Sequence, residues 1–394
     1  MSIDHHHDEH GDKLLECEDF QKARKEMRRT LWRPGVRPDQ GMGISRRVLI
    51  NRAVLGGAAA VATAGWLPRI NVMDMAYAQE GGGVESFRFA WISDTHLYPK
   101  EVNTRFVDKA VRAVNDVKAM DPAPDFLIFG GDLAQLGDPV ELKLGNEIIQ
   151  ELDIKKVFIP GEHDWYLDMG KTWVELYGAS PWTFDHKGVR FIGIDTVSRA
   201  ADYWTATNMT PEERMGHMAG LDGSVAGAWS GLGQEQLDYL DKTLSDWGTD
   251  KPVVIFTHNP LYEYYPPWNF WVRDWREVHE IIKPYTKITN IHGHTHQVLY
   301  NEIGAMRSIG MLATSWPWPY APEGVPKLTV PMARTNPGDP FDGVGWGQLE
   351  FNAETQKVDH QWMMWRNEVL ATIPQKSGTS DNPTTFLRAR PDGR

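Results

Sequence analysis

The stretch Ile291-His292-Gly293-His294-Thr295-His296, late in the chain, decides how the rest of the sequence is interpreted. An apolar run at 288–291 precedes it and predicts a β-strand. Beyond that strand, Gly293 frees the backbone to turn, so that His294 and His296 can face one point. A His-x-His pair alone is weak evidence for a metal site. Its meaning depends on whether other parts of the chain supply further ligands.

Other predicted strands also end in polar clusters. The apolar runs at 87–92, 126–129, 157–159 and 253–256 are each followed by side chains that can bind a metal or transfer a proton: Asp94, His96, Asp132, Glu162, His163, Asp164 and His258. The carboxyl ends of the strands are the expected place for a site in an open α/β sheet. Carboxylates and imidazoles without thiolates suit Fe, Mn or Zn.

The order of the predicted elements indicates the fold class. Strands alternate with helices at 104–120, 140–152, 234–247 and 276–284, the first with Thr104 as its N-cap. A strand-rich part follows, with strands predicted at 298–303, 306–312, 346–351 and 358–365. This pattern predicts an α/β fold of two packed mixed β-sheets flanked by helices.

Composition excludes several classes of site and partner. Of 394 residues, 41% are hydrophobic and 24% are charged, which is ample for a packed core. The single cysteine, Cys17, excludes a disulfide framework and any cysteine-based zinc or iron–sulfur site. A formal charge of −12 argues against nucleic-acid binding.

The N-terminal part resembles a twin-arginine export signal. A polar leader at 1–44, with a histidine-rich start, is expected to be either a disordered leader or a metal-collecting tract. The signal itself is predicted at 45–78, with Arg46-Arg47 before a small apolar run and Ala76-Tyr77-Ala78 as its cleavage site. We therefore expect a periplasmic or secreted protein that meets the twin-arginine translocation machinery. Contact with a membrane is expected only if the signal stays uncleaved.

Downstream of the signal, one domain is expected. A linker at 79–85 precedes the domain at 86–366, and 367–394 forms a polar tail. Three long insertions are predicted, near 199–231, 260–275 and 313–345. Two of them are rich in Trp and Pro, and we interpret them either as walls of a cleft or as rigid packing.

Taken in order, the strand-end clusters resemble the calcineurin-like metallophosphoesterase family. Its signature consists of D-x-H, G-D, G-N-H-D/E, a lone H and G-H-x-H. The corresponding blocks here are Asp94-Thr95-His96, Gly131-Asp132, Gly161-Glu162-His163-Asp164, His258 and Gly293-His294-Thr295-His296. The resemblance spans roughly 86–365 and implies the family's four-layer α-β-β-α fold.

The resemblance also implies a role for each residue. Asp132 would bridge two divalent or mixed-valence ions (Fe, Mn or Zn). One ion would be completed by Asp94, His96 and His296, and the other by Glu162, His258 and His294. A hydroxide between the ions would attack the phosphorus of a phosphate ester. His163 would assist the leaving oxygen and Asp164 would hold its imidazole, the alternative for Asp164 being a local cap or turn.

One position departs from the family pattern: Glu162 stands where the signature has Asn. A carboxylate can still bind a metal, but it adds negative charge beside an anionic substrate. Either the substitution is tolerated or it changes the activity or the metal preference. The expected function is therefore an exported, metal-dependent hydrolase of a phosphomonoester or phosphodiester. The alternatives are a metal-binding or redox-associated protein on the same fold, and a binding module that uses the Trp-rich insertions.

Overall fold

The computed structural model describes residues 83–165, 167–198, 210, 230–264, 270–318 and 343–365. The predicted leader, the export signal and the polar tail lie outside the described residues, and the three insertions are described only in part. The predicted domain boundaries at 86 and 366 therefore stay predictions.

One sheet contains the first three strands and the last two: β1 (Phe87–Ile92), β2 (Phe126–Phe129), β3 (Lys155–Phe158), β10 (Gly345–Asn352) and β11 (Lys357–Met364). Their order is β11-β10-β1-β2-β3. The strands β1, β2 and β3 run parallel, whereas β10 pairs antiparallel with both of its neighbours.

The second sheet contains the six strands between them: β4 (Trp182–His186), β5 (Val189–Gly193), β6 (Val253–Thr257), β7 (Ile288–His292), β8 (Leu299–Ile303) and β9 (Met306–Gly310). Their order is β4-β5-β6-β7-β9-β8. The central strands β5, β6, β7 and β9 are parallel, and an antiparallel strand closes each edge.

Six helices are described: α1 (Thr104–Lys118), α2 (Pro139–Gln150), α3 (Glu162–Trp165), α4 (Lys171–Tyr177), α5 (Gly233–Ser245) and α6 (Trp275–Ile282). The predicted N-cap of α1 is wrong by one residue, because Asn103 has the extended backbone of a cap and its side chain accepts from the N–H of Arg105. The short helices α3 and α4 were not predicted. No helix in the described part of the chain is long and apolar enough to cross a membrane.

The alternation of side chains along the strands explains the layers. In β1, Phe89 and Trp91 point into a core between the two sheets, whereas Ala90 and Ile92 point to the opposite face, toward α1 and α2. In β6, Val254 joins the inter-sheet core, while its neighbours on either side pack with α5 and α6. Because strand side chains alternate between faces, the central strands β1, β2, β6 and β7 are buried on both sides of their sheets. The predicted fold of two packed mixed sheets flanked by helices is confirmed.

The topology brings the polar strand ends together. The parallel strands β1, β2 and β3 deliver their carboxyl ends to one edge, as do β6 and β7 in the other sheet. Backbone hydrogen bonds continue the alignment beyond the strands, with the N–H of Asp94 bonded to Gly131 O at 2.9 Å and that of Gly293 to His258 O at 3.1 Å. The loops of the two sheets also contact each other, since the N–H of His294 donates to Asp94 Oδ1 at 3.1 Å.

Candidate metal centre

All nine residues singled out from the sequence are buried, and they lie just beyond five strand ends. Asp94 and His96 follow β1, and Asp132 follows β2. The residues 162–164 form the start of α3 directly after β3. His258 follows β6, and the pair at 294 and 296 follows β7.

Four of these side chains form one compact set, which we call the Asp132 group: Asp132, Glu162, His258 and His294. Their potential ligand atoms all lie within 4.8 Å of one another. His258 Nε2 is 3.2 Å from Asp132 Oδ2 and 3.2 Å from Glu162 Oε2. His294 Nδ1 is 2.9 Å from Glu162 Oε1.

A second set, the Asp94 group, consists of Asp94, His96 and His296. His296 Nε2 lies 3.2 Å from Asp94 Oδ1 and 3.0 Å from His96 Nε2. Asp132 lies between the two groups, since its Oδ2 is also 3.5 Å from His96 Nε2. The side chains that the resemblance assigns to each ion therefore lie together, and the two groups meet at Asp132.

Backbone carbonyls fix the tautomer of two of these imidazoles. His258 Nδ1 is 2.7 Å from Gly130 O, and His296 Nδ1 is 2.7 Å from Trp316 O. Because a carbonyl can only accept, each Nδ1 carries the proton, and in the neutral ring Nε2 presents a lone pair. Those lone pairs face carboxylate oxygens. Two electron-rich atoms repel each other at this distance, and a cation bound between them would make the arrangement favourable.

The donor set therefore fits metal ions. In the described part of the chain, His258 Nε2 and Glu162 Oε2 are buried and make no well-formed hydrogen bond, although they lie 3.2 Å apart. Buried polar atoms without partners are uncommon, and an ion is one of the explanations for them. Imidazoles held by a carbonyl on the far nitrogen are the usual form of metal-binding histidines.

The backbone is left-handed at five of the seven expected ligands. Asp94 has φ 54°, His96 45°, Asp132 54°, His294 63° and His296 50°. A left-handed backbone is uncommon for residues other than glycine and costs roughly 1–3 kcal/mol each when it is held in place. Such strain clusters at functional sites, and here it aims five side chains at one point.

Two glycines make room for the carboxylates. A Cβ built on Gly161 would lie 2.6 Å from the backbone nitrogen of Asp132, and one on Gly293 would lie 2.6 Å from Asp94 Oδ2. The carboxylates are further held by backbone donors, His163 N to Asp132 Oδ1 at 3.0 Å and His294 N to Asp94 Oδ1 at 3.1 Å. Either glycine replaced by a larger residue would displace a ligand.

The pKa values of several of these side chains are shifted, because carboxyl and imidazole groups lie close together in a buried site. Burial alone would lower the pKa of His258, but Asp132 and Glu162 raise it well above its ordinary value. Burial alone would raise the pKa of Glu162, but His294 and His258 hold it well below its usual range. Burial lowers the pKa of His96, and the neighbouring His163 and His296 add to that effect. The protein without metal thus favours a charged His258 beside a charged Glu162.

The role expected for Asp164 is wrong. His163 Nδ1 lies 2.7 Å from Gln135 O, so a backbone carbonyl holds this imidazole. Both oxygens of Asp164 instead accept backbone N–H groups, from Ala134 at 2.9 Å and Gly161 at 3.0 Å. Asp164 therefore fixes the loops after β2 and β3, which is the local capping role that the sequence left open.

Trp316 belongs to the site in a way that the sequence did not indicate. It was expected only as a possible wall of the cleft, on composition. Its ring packs on His96 at 4.1 Å and on His296 at 4.7 Å between centroids, and its carbonyl accepts from His296. The sequence offered only the Trp-Pro-rich composition of the insertion as a signal. The contact of the Trp316 carbonyl with His296 could not be predicted, because every residue type has a backbone carbonyl.

Comparison with known proteins places the chain among phosphoesterases. A family model described as calcineurin-like phosphoesterase matches residues 87–298. A probable glycerophosphodiester phosphodiesterase GpdQ of Arcobacter nitrofigilis is 28% identical over 174 residues, covering 43% of this chain and 55% of the relative. A probable cyclic nucleotide phosphodiesterase of Synechococcus sp. is 24% identical over 59% of this chain and 83% of its own length. The chain spans about half the length of the GpdQ relatives that it matches.

Solved structures with a similar arrangement were also found. A dimetal phosphatase from Danio rerio aligns with 67% of this chain and 92% of its own, at 14% identity and a TM-score of 0.46. A purple acid phosphatase from yellow lupin seeds aligns with 71% of this chain and 53% of its own, at 12% identity and a TM-score of 0.43.

Metal uptake is expected to compete with protons. Since Asp132 and Glu162 raise the pKa of His258, this imidazole holds a proton that an incoming ion must displace. The affinity for Mn²⁺, measured by calorimetry on chelator-treated protein, should fall as the pH is lowered through that pKa. Glu162→Gln removes one of the two carboxylates and should move the fall to lower pH. An affinity that does not fall as the pH is lowered toward the ordinary histidine pKa of about 6.5 would contradict this account of the site.

Proposed function

Because the chain belongs to the calcineurin-like phosphoesterase family, we propose that it hydrolyses a phosphate ester with two metal ions, one held by the Asp94 group and one by the Asp132 group. One observation carries the proposal: Asp132 Oδ2 lies 3.2 Å from His258 and 3.5 Å from His96, between the two groups. A carboxylate between two sets of ligands is what a pair of ions about 3.5–4 Å apart requires.

The side chains of the site would have different roles in this reaction. When bound, the two ions would activate a water molecule for attack and neutralise the charge that develops on the phosphoryl oxygens. His163 lies beside His96 and Asp132, and Gln135 O fixes its Nδ1 as the donor. Its Nε2 is then the ring atom that would exchange a proton with the leaving oxygen. Asp164 would act indirectly, by holding the loop that carries Glu162 and His163.

The substrate that we propose is a phosphodiester, with a phosphomonoester as the second candidate. Both the GpdQ relatives and the Synechococcus relative are named as phosphodiesterases. A diester carries one negative charge at its phosphorus and a monoester about two. Compared with the Asn of the family pattern, Glu162 lowers the net charge of a site with two divalent ions by one, which would weaken the attraction for a dianionic monoester more than that for a diester.

Activity against a panel of esters tests this proposal. Wild-type protein loaded with Mn²⁺, Fe²⁺ or Zn²⁺ is expected to hydrolyse glycerophosphodiesters, cyclic nucleotides or an aryl phosphodiester, and aryl phosphomonoesters more slowly. Asp132→Asn should lower kcat/KM about a thousandfold, or ~4 kcal/mol, because both ions lose their shared ligand.

Asp125→Asn is the matched control for this variant. Asp125 precedes the same strand, β2, at its opposite end and binds His186 and Lys187 rather than the metal groups. The same substitution there should leave kcat/KM within about threefold of wild type, since changes away from a site usually have small effects. Protein that binds two ions but turns over no ester would instead favour a metal-binding or redox-associated role.

Glu162 should weaken the binding of anions. A unit charge at roughly 6 Å is worth about 1–3 kcal/mol at an effective dielectric constant of ~20. Glu162→Asn is therefore expected to bind inorganic phosphate about tenfold or more tightly, measured as a competitive inhibition constant. Glu162→Gln keeps the chain length and separates the effect of charge from that of shape. Equal inhibition of all three proteins would show that Glu162 is a tolerated substitution.

We also propose that the protein is exported in the folded state through the twin-arginine machinery. Support comes from Arg46-Arg47, the apolar run after it and Ala76-Tyr77-Ala78.

Arg46→Lys with Arg47→Lys should keep the protein in the cytoplasm at its full length, as seen by fractionation and immunoblotting. The same double change at Arg28 and Arg29, a pair in the same leader but far from the apolar run, should leave export intact. Export of the first variant at the wild-type level would contradict the proposed signal.

A further inference from the structure

We propose that Lys109 is a positioning residue for the Asp94 group: it holds the segment 314–318, whose backbone fixes Asp94 and His296. The inference rests on the proposed function, since it concerns one of the two proposed metal sites. Lys109 lies on α1, and sequence patterns gave it no role.

Lys109 is unusual in its burial. The residue is 3% exposed, and among the described residues it is the one lysine or arginine that is buried, whereas several carboxylates are buried. Lysine is almost never fully buried unless its charge is partnered. Here Nζ donates to the carbonyl of Ser315 and lies 5.6 Å from the centroid of the Phe106 ring. A buried ammonium group held on a loop carbonyl fixes that loop in place.

The loop in turn holds Asp94. Ser315 Oγ donates to the carbonyl of Asp94 at 2.6 Å, and the N–H of Ser315 lies 3.1 Å from the same oxygen. The preceding N–H, of Thr314, bonds to Ser93 O at 3.0 Å. Asp94 has a left-handed backbone, so its side chain keeps its direction only while such contacts hold the peptide.

The same loop holds His296 from both sides. Trp316 O, the next carbonyl after that of Ser315, accepts from His296 Nδ1 at 2.7 Å. Trp318 N donates to His296 O at 3.0 Å. The Trp316 ring also packs against Phe106 of α1, with 5.5 Å between centroids. α1 therefore supports the loop twice, by the Lys109 ammonium group and by the Phe106 ring.

The effect of Lys109 should be confined to one metal. The Asp132 group is held by other parts of the chain, since His258 Nδ1 bonds to Gly130 O and Asp132 accepts from His163 N. Without the ammonium group, the Ser315 carbonyl loses its donor, and the orientation of His296 becomes looser. Loss of a partner that orients a metal ligand typically costs about 10–100-fold in metal affinity.

Metal titration of the full chain tests this inference without any substrate. Chelator-treated wild type, titrated with Mn²⁺ by calorimetry, is expected to bind two ions. Lys109→Met, which keeps a similar stem but no donor, should bind one ion as wild type does and the other at least tenfold more weakly. Lys109→Arg keeps charge and donors and should restore the second site. Lys118→Met, at the end of the same helix and 40% exposed, is the matched control and should bind both ions normally.

The outcomes separate this inference from the proposed function. Wild-type affinity for both ions in folded Lys109→Met would overturn it, and so would an equal weakening of both sites. If Lys109→Met does not fold, Lys109→Leu, which also lacks a donor, takes its place with the same expectation and the same contradicting results. Two ions in wild type without turnover of any ester would refute the proposed hydrolase and leave this inference standing. Fewer than two ions in wild type would overturn both.

Discussion

Three buried carboxylates and the imidazole nitrogens facing them are the constraint on which the rest of the structure depends. Asp94, Asp132 and Glu162 are nearly inaccessible to solvent, and their oxygens lie 2.9–3.2 Å from the nearest ring nitrogens. In a low-dielectric interior, uncompensated negative charges at such distances are strongly unfavourable. Protons can compensate in part, as the raised pKa of His258 indicates. Two cations would compensate fully, and the fixed tautomers at His258 and His296 leave Nε2 lone pairs for them.

The two-sheet architecture holds this arrangement together. A site made from one sheet would draw on one row of strand ends, whereas here β1, β2 and β3 supply one row and β6 and β7 the other. The core between the sheets is dense in aromatic rings, such as Phe89, Phe191 and Phe256, whose centroids lie 5.8–6.2 Å apart. A close-packed core resists relaxation, so it can keep five ligands in left-handed backbone conformations that would otherwise relieve their strain.

The residues of both groups could be singled out because each lies within a few residues of the end of an apolar strand, and strands are visible in a sequence. Their assignment to two metal ions came from the family resemblance and stays a prediction. His294 and His296 fall into different groups, as expected. The contacts that orient the ligands could not be predicted. Gly130, Gln135 and Trp316 act through backbone carbonyls, which every residue type possesses. The family resemblance pairs Asp164 with His163, whereas both oxygens of Asp164 accept backbone N–H groups in the structure. The helices α3 and α4 were not predicted, because four and seven residues are too few to show a helical periodicity.

Asp132 is the side chain that would contact both ions of the proposed metal centre. Anomalous X-ray diffraction from crystals soaked in Mn²⁺ tests this arrangement most directly. The account predicts two peaks about 3.5–4 Å apart, one beside the Asp94 group and one beside the Asp132 group, with a carboxylate oxygen of Asp132 in reach of both. A single peak, or two peaks of which only one contacts Asp132, would contradict it.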